Sequence, residues 1–291
     1  MNTAAFNRGH AEDLASGLPA LLADAEHLAA TVLLGVHGRR RAGMGDEFWQ
    51  HRPSAPGDSA RMIDWRRSAR SDVQFVQEKE WQAAQSISIW PDASTSMGFS
   101  SDPKLPEKLD RARLLALAAA ILLIRGGERV ALAGTGERPR QGEAQLDRLA
   151  AAIALQKDAA DYGTPQMSDL PKQSRALLLS DFLGDLGAIT SALSSAAERG
   201  VKGVLVQILD PQEEGYPFDG RTIFENPGGT LAFETLKAKG LRARYLERLA
   251  QRKTALAELA RNTGWQFMCH HTDAPVQTAL LWIYGALEKR R

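Results

Sequence analysis

Asp92, Ser94 and Ser96 stand at every second position of DASTSM, directly after the apolar stretch ISIWP. One carboxylate and two hydroxyls on a tight loop can turn their oxygens toward a single hard cation such as Mg2+ or Mn2+. With only one charged ligand, such a site leaves positions for water or for an incoming ligand. The same residue types have a plainer use, because serines and aspartates after a strand also cap the next helix. Asp181 closes RALLLSD and Asp210 closes VLVQILD in the same manner. Ligands of open α/β sheets bind beyond the carboxyl ends of the strands, near a topological switch point, so all three aspartates are candidates.

The elements that must position them follow from periodicity. Apolar stretches at 86–91, 128–134, 175–181, 202–210 and 265–270 read as strands. They alternate with helical patterns over 108–125, 143–156, 185–199, 242–262 and 274–289. Such alternation predicts an α/β fold: a mostly parallel, Rossmann-like sheet covered by helices on both faces. The segment 211–235, rich in Gly and Pro, predicts an inserted hairpin. Upstream, an amphipathic pattern over 12–36 predicts a helix. The basic, glycine-punctuated stretch after it predicts extended or hairpin structure leading to a strand in DVQFVQEKEWQ. Two domains are expected: an N-terminal helix and β-rich module over 1–85, and the α/β domain over 86–291. Residues 39–70 are expected to form an ordered module, since acids and bases alternate there around Phe48, Trp49, Met62, Ile63 and Trp65.

Composition narrows the function classes. The chain has 291 residues and a formal net charge of +1, so bulk charge points to neither nucleic acid nor a membrane surface. Cys269 is the only cysteine, which excludes an intrachain disulfide and suits a reducing compartment. The longest apolar run, Leu114 to Ile124, is too short to cross roughly 30 Å of hydrocarbon. With no signal-peptide pattern visible either, a cytoplasmic location is expected.

The DASTSM loop resembles the von Willebrand factor A domain, whose metal-ion-dependent adhesion site begins with D-x-S-x-S after the first strand. More specifically, the chain resembles the Domain of Unknown Function 58 family. GMGDEF (43–48), PGDSARMIDWRRSAR (56–70), DASTSM (92–97), LLLSD (177–181) and DPQEEG (210–215) carry that resemblance. It implies a von Willebrand A-like core joined to an N-terminal module, and association with a MoxR-type AAA+ ATPase in remodelling or maturing a client protein complex. It also implies a metal set of Asp92, Ser94, Ser96 and Asp181, with Thr164 of DYGTPQ completing it. Trp90-Pro91 departs from the aliphatic residue that many relatives carry before the first aspartate, and Pro91 removes a backbone donor there.

Other chemistries compete. A metal-dependent hydrolase could use Ser94 or Ser96, yet there is no G-x-S-x-G elbow, and neither serine begins an S-x-x-K. There is also no G-x-x-x-x-G-K-[ST] cradle, so ATP hydrolysis would fall to another polypeptide. The arginines of 39–70, with Trp49 and Trp65 among them, could grip nucleic acid. Asp46, Glu47, Asp58 and Asp64 are interleaved with them, which favours internal pairing or protein contact. Cys269-His270-His271 has metal-ligand composition without a second ligand pair nearby in sequence, and reads as the core and rim of the last strand. The reading is therefore a non-enzymatic, divalent-cation-dependent protein-binding module.

Overall fold

A computed structural model describes residues 20–32, 48–55, 58, 60, 63–71, 73–79, 84–229 and 232–288. The chain divides into two compact units, Val36–Ala84 and the remainder, Met1–Gly35 with Gln85–Arg291.

In the smaller unit, strand β1 (Phe48–Pro53) pairs antiparallel with β2 (Phe75–Lys79), with a register shift between Phe48 and Gln50. A single helical turn, α2 (Trp65–Ser68), interrupts the extended structure expected there. Its cause is local: the Asp64 carboxylate accepts the Arg67 N–H at 3.0 Å and caps the turn. The Arg67 guanidinium lies over the Phe75 ring, 5.2 Å from its centroid, and the Ser68 hydroxyl accepts the Phe75 N–H. Asp58 accepts the Ala55 N–H at 2.7 Å. Two of the interleaved acids thus hold backbone. Asp46, Glu47, Arg39, Arg40, Arg41, Arg61 and Met62 lie outside the described residues.

The larger unit is the expected α/β fold. Its sheet has five strands in the order β4-β3-β5-β6-β9, with every neighbouring pair parallel. The strands are β3 (Ser86–Pro91), β4 (Arg129–Leu132), β5 (Arg175–Ser180), β6 (Lys202–Leu209) and β9 (Gln266–His271). Helices α3 (Lys108–Arg125), α4 (Glu143–Leu155) and α8 (Val276–Glu288) pack together, as do α5 (Leu186–Glu198) and α7 (Arg242–Thr263). Helix α3 is buried on nearly all sides, from Leu115 to Ile124, as its unbroken LLALAAAILLI requires. Ala176 and Leu178 of β5 pack with Ile189, Leu193 and Leu256 in one core cluster.

Helix α1, described over 20–32, buries Ala25, Leu28, Ala29 and Val32 and groups with the sheet unit rather than with the β-rich module expected to contain it. Its apolar stripe has the width that a layer against a core demands. The rest of the 12–36 pattern lies outside the described residues. The inserted segment is a short helix, α6 (Pro211–Gly215), then the hairpin β7 (Thr222–Glu225) and β8 (Ala232–Thr235), paired antiparallel. Among the described residues, no helix is long and apolar enough to cross a membrane.

Candidate functional site

Strand order places the switch point between β3 and β5. From β3 the chain crosses to β4 on one side, and from β5 it crosses to β6 on the other, which leaves a crevice beyond the two carboxyl ends. Asp92 follows the last residue of β3 and Asp181 the last of β5, each 1% exposed. Pro91 does not break this arrangement, because the Asp92 N–H takes over the ladder and donates to the Leu179 carbonyl at 2.8 Å.

The Asp92 carboxylate is held on both oxygens. Oδ1 accepts the Ser94 N–H at 2.8 Å and Oδ2 accepts the Ser180 hydroxyl at 2.6 Å. Burial pushes its pKa up, opposed by the bonds from Ser180 and Ser94 and reinforced by the Asp181 charge. The Ser94 and Ser96 hydroxyl oxygens are 3.3 Å apart and both residues are buried. Neighbouring oxygens around an ion with 2.0–2.6 Å ligand distances stand roughly 2.9–3.7 Å apart, so this spacing fits a shared hard cation. Ser94 begins the 3-10 turn Thr95–Gly98 yet makes no side-chain capping bond, which removes the plainer use of its hydroxyl.

Thr164 is exposed and follows Gly163, whose backbone lies so close that an added Cβ would overlap the Asp92 carboxylate. Its loop is therefore at the site. The same loop is tied to the motif by the Ser96 N–H, which donates to the Asp161 carbonyl at 2.9 Å. It is tied to the turn between β7 and β8 by Asn226, whose amide donates to the Asp161 carboxylate at 2.6 Å.

Asp181 faces a partner that the motif does not contain. The Lys108 ammonium, 1% exposed at the first turn of α3, donates to Asp181 Oδ2 at 2.9 Å and to Glu213 Oε1 at 2.6 Å. It also lies 5.7 Å from the centroid of the Phe99 ring. Burial alone would depress the lysine's pKa, but the Asp181 and Glu213 charges outweigh it and hold the ammonium charged. Burial, only partly offset by Lys108, pushes Glu213 up. Asp181 Oδ1 accepts the Leu183 N–H at 3.1 Å. Asp181 is thus engaged by an ammonium, while Asp92, Ser94 and Ser96 are not. Asp210, fully buried, has the plainer role: it caps α6 through the Gln212 N–H at 2.8 Å, in a capping box with Glu213, and accepts the Ser101 N–H at 3.0 Å.

Sequence reasoning missed Lys108, Ser180 and Glu213. Lys108 and Glu213 lie 105 residues apart and meet only in the fold. Ser180 precedes the aspartate of LLLSD and carried a readable hint, a hydroxyl at the same strand end as a candidate ligand.

Lys108, Asp181 and Glu213 floor a cleft of about 1050 Å3 that also takes in Ser96, Tyr162, the hairpin aromatics Phe224 and Phe233, and Arg244 and Arg248 of α7. Tyr216, Phe218, Phe224 and Tyr245 form one ring cluster with centroids 4.9 to 5.9 Å apart, which anchors the hairpin to α7.

The family model described as "Protein of unknown function DUF58" matches residues 50–255. The chain belongs to that family. This DUF58 protein is also similar to uncharacterized proteins of Mycobacterium tuberculosis and Mycobacterium bovis, each 26% identical over 284 residues, spanning 91% of this chain and 88% of theirs. The solved structure of the conserved hypothetical protein BatB from Bacteroides thetaiotaomicron aligns with a TM-score of 0.40 at 14% identity, covering 70% of this chain and 98% of that one. Every residue of the switch-point cluster, from Asp92 to Glu213, falls inside the region that the family model matches.

Proposed function

We propose that this DUF58 protein is a non-enzymatic, von Willebrand A-like protein-interaction module whose recognition depends on a divalent cation. Asp92, Ser94 and Ser96 would hold Mg2+ or Mn2+, with Thr164 and Asp181 bordering it, and the ion would supply a coordination position for one carboxylate of a partner. The observation that carries this reading is a charge imbalance. Three carboxylates with little exposure (Asp92, Asp181 and Glu213) are set against one ammonium, since Lys108 pairs with Asp181 and Glu213 but not with Asp92, a deficit of two positive charges when all are ionised. Buried charge without compensation is costly, and one divalent cation restores neutrality.

The rest of the cleft suits a protein ligand. Arg244 and Arg248 present exposed guanidinium groups at its rim, suited to acidic side chains, and Phe233 offers an apolar face that is 60% exposed. In this reading the partner is a MoxR-type AAA+ ATPase that acts with the module on a client protein in the cytoplasm. The ATPase supplies the nucleotide chemistry, since the chain has no phosphate-binding cradle.

Asp92→Asn tests it. The amide keeps the shape of the carboxylate and an acceptor for the Ser94 N–H while removing the charge that Asp181 repels. Its melting temperature in chelator should equal or exceed that of wild type. Mg2+ at 100 times its dissociation constant should stabilise wild type by about 2.7 kcal/mol and the variant by far less. Pull-downs with and without chelator, read by mass spectrometry, should recover the ATPase only with the cation and only with wild type. Equal Mg2+ response in both proteins would sink the cation reading.

A further inference from the structure

We infer that Glu214, Cys269 and His271 form a second metal site, separate from the switch-point cluster and suited to Zn2+ rather than Mg2+. Cys269 and His271 alternate on one face of the edge strand β9, and Glu214 reaches them from α6, which follows the neighbouring strand β6. One ligand atom from each lies within 4.8 Å of the others, and all three side chains are half-buried. A thiolate, an imidazole and a carboxylate are the donor types that Zn2+ takes, and three protein ligands leave its fourth position open. Thiolate and imidazole discriminate against Mg2+, which demands oxygen.

The site already accommodates a cation. The Lys253 ammonium of α7 pairs with one Glu214 oxygen and hydrogen-bonds the Cys269 sulfur, while the other Glu214 oxygen meets His271 Nε2. Lys253 is long, its side chain is 22% exposed, and it can swing out to solvent when a divalent ion arrives. With Lys253 displaced and the thiol proton released to solvent, thiolate, carboxylate and neutral imidazole balance the two charges of the ion. The buried ring of His270, between the two β9 ligands, points away from this face and takes no part. Cys269 and His271 lie beyond residue 255, outside the stretch that the family model matches.

The test uses the full-length protein. Co2+, which reports thiolate ligation by absorption, is titrated first, and Zn2+ is then titrated by calorimetry. Wild type should bind one ion at this site and show the cobalt–thiolate charge-transfer band. Cys269→Ser should lose the band and bind Zn2+ at least about a hundredfold more weakly, beyond the 10–100-fold typical of losing an outer-shell partner. Lys253→Met should bind Zn2+ several-fold more tightly, because the competing ammonium is gone, a change in the direction that damage to the fold cannot mimic. Asp92→Asn should bind Zn2+ as wild type does, which keeps this site distinct from the proposed Mg2+ site. A Co2+ complex without the thiolate band, or unchanged Zn2+ affinity in Cys269→Ser, would overturn the inference.

Discussion

Two clusters stand at the carboxyl ends of one parallel sheet, and they are built differently. At β3 and β5 the groups are nearly sealed from solvent: Asp92 and Asp181 are each 1% exposed, and Lys108 beneath them likewise. At β6 and β9, Glu214, Lys253 and His271 are half-open, with side chains 42%, 22% and 29% exposed. Adjacent carboxylates of α6 serve the two, Glu213 turning to Lys108 and Glu214 to His271. Burial decides what each cluster can cost the fold. A sealed charge that loses its partner cannot recruit water, whereas a half-open one can.

That contrast predicts its largest effect at Lys108. Lys108→Met keeps the length and apolar stem but strands Asp181 and Glu213 without a cation, and urea unfolding should report a loss of about 3–5 kcal/mol. Mg2+ should recover more stability in this variant than in wild type, because the charge deficit has grown. A loss below about 1 kcal/mol would mean that the ammonium is dispensable, and the proposed imbalance with it.

The next effect tests the strand that supports the second cluster. His270 is 4% exposed, and its Nε2 has no hydrogen-bond partner among the described residues. Burial, then the Arg111 and His271 charges, push its pKa down from 6.5 to about 4, with Asp273 opposing. A base depressed in the folded state costs stability as it is charged, so the loss begins as pH falls below 6.5 and is complete near 4. Over that window wild type should lose about 3 kcal/mol more than His270→Leu, from the 1.36 kcal/mol that each pKa unit represents. Asp92 and Glu213, whose raised pKa values favour the fold in acid, are common to both proteins and cancel in the difference. Parallel pH profiles for the two proteins would contradict the buried, neutral ring.

The fold was readable in the sequence because its signals are local and repeated. Unbroken apolar strands and the run from Leu115 to Ile124 encode burial on both faces within a few residues. The Asp92, Ser94 and Ser96 cluster was readable for the same reason, being one loop. What could not be read is what arrives from a distance: Lys108 beneath Asp181, Glu213 on a five-residue helix, and Glu214 beside Cys269. None of these contacts has a spacing signature, since the crossovers of the sheet, and not the local chain, bring them together. The unit with which helix α1 groups was not readable for a related reason, as an amphipathic stripe says that a face is buried but not against what.

Ser180 offers a smaller and sharper probe of the sealed cluster. Its hydroxyl donates to Asp92 Oδ2 and accepts the Phe182 N–H at 3.0 Å, so Ser180→Ala leaves two buried groups a bond short. Equilibrium unfolding should show a loss of about 1–3 kcal/mol in chelator. In saturating Mg2+ part of that loss should return, because the cation can compensate the Asp92 oxygen that the hydroxyl no longer serves. An identical loss in both conditions would show that the Asp92 oxygen does not respond to the cation.

The smallest effect belongs to the open cluster. Lys253→Met removes the ammonium that pairs with Glu214, whose pKa is held below the ordinary carboxylate range because Lys253 and His271 together outweigh the opposing effect of burial. In a sealed site such a loss would rival that at Lys108. Here the Lys253 and Glu214 side chains are 22% and 42% exposed, water reaches the carboxylate, and exposed pairs of this kind contribute about 0–1 kcal/mol. The methionine stem also keeps its packing along α7. Thermal melts in chelator should therefore place the variant within about 1 kcal/mol of wild type, several-fold below the cost at Lys108. Two ammonium groups bonded to neighbouring glutamates of one helix would then differ in energetic weight through burial and through the second carboxylate, Asp181, that Lys108 alone of the two holds. A loss at Lys253 equal to that at Lys108 would break the comparison, showing that the open cluster bears on stability as heavily as the sealed one.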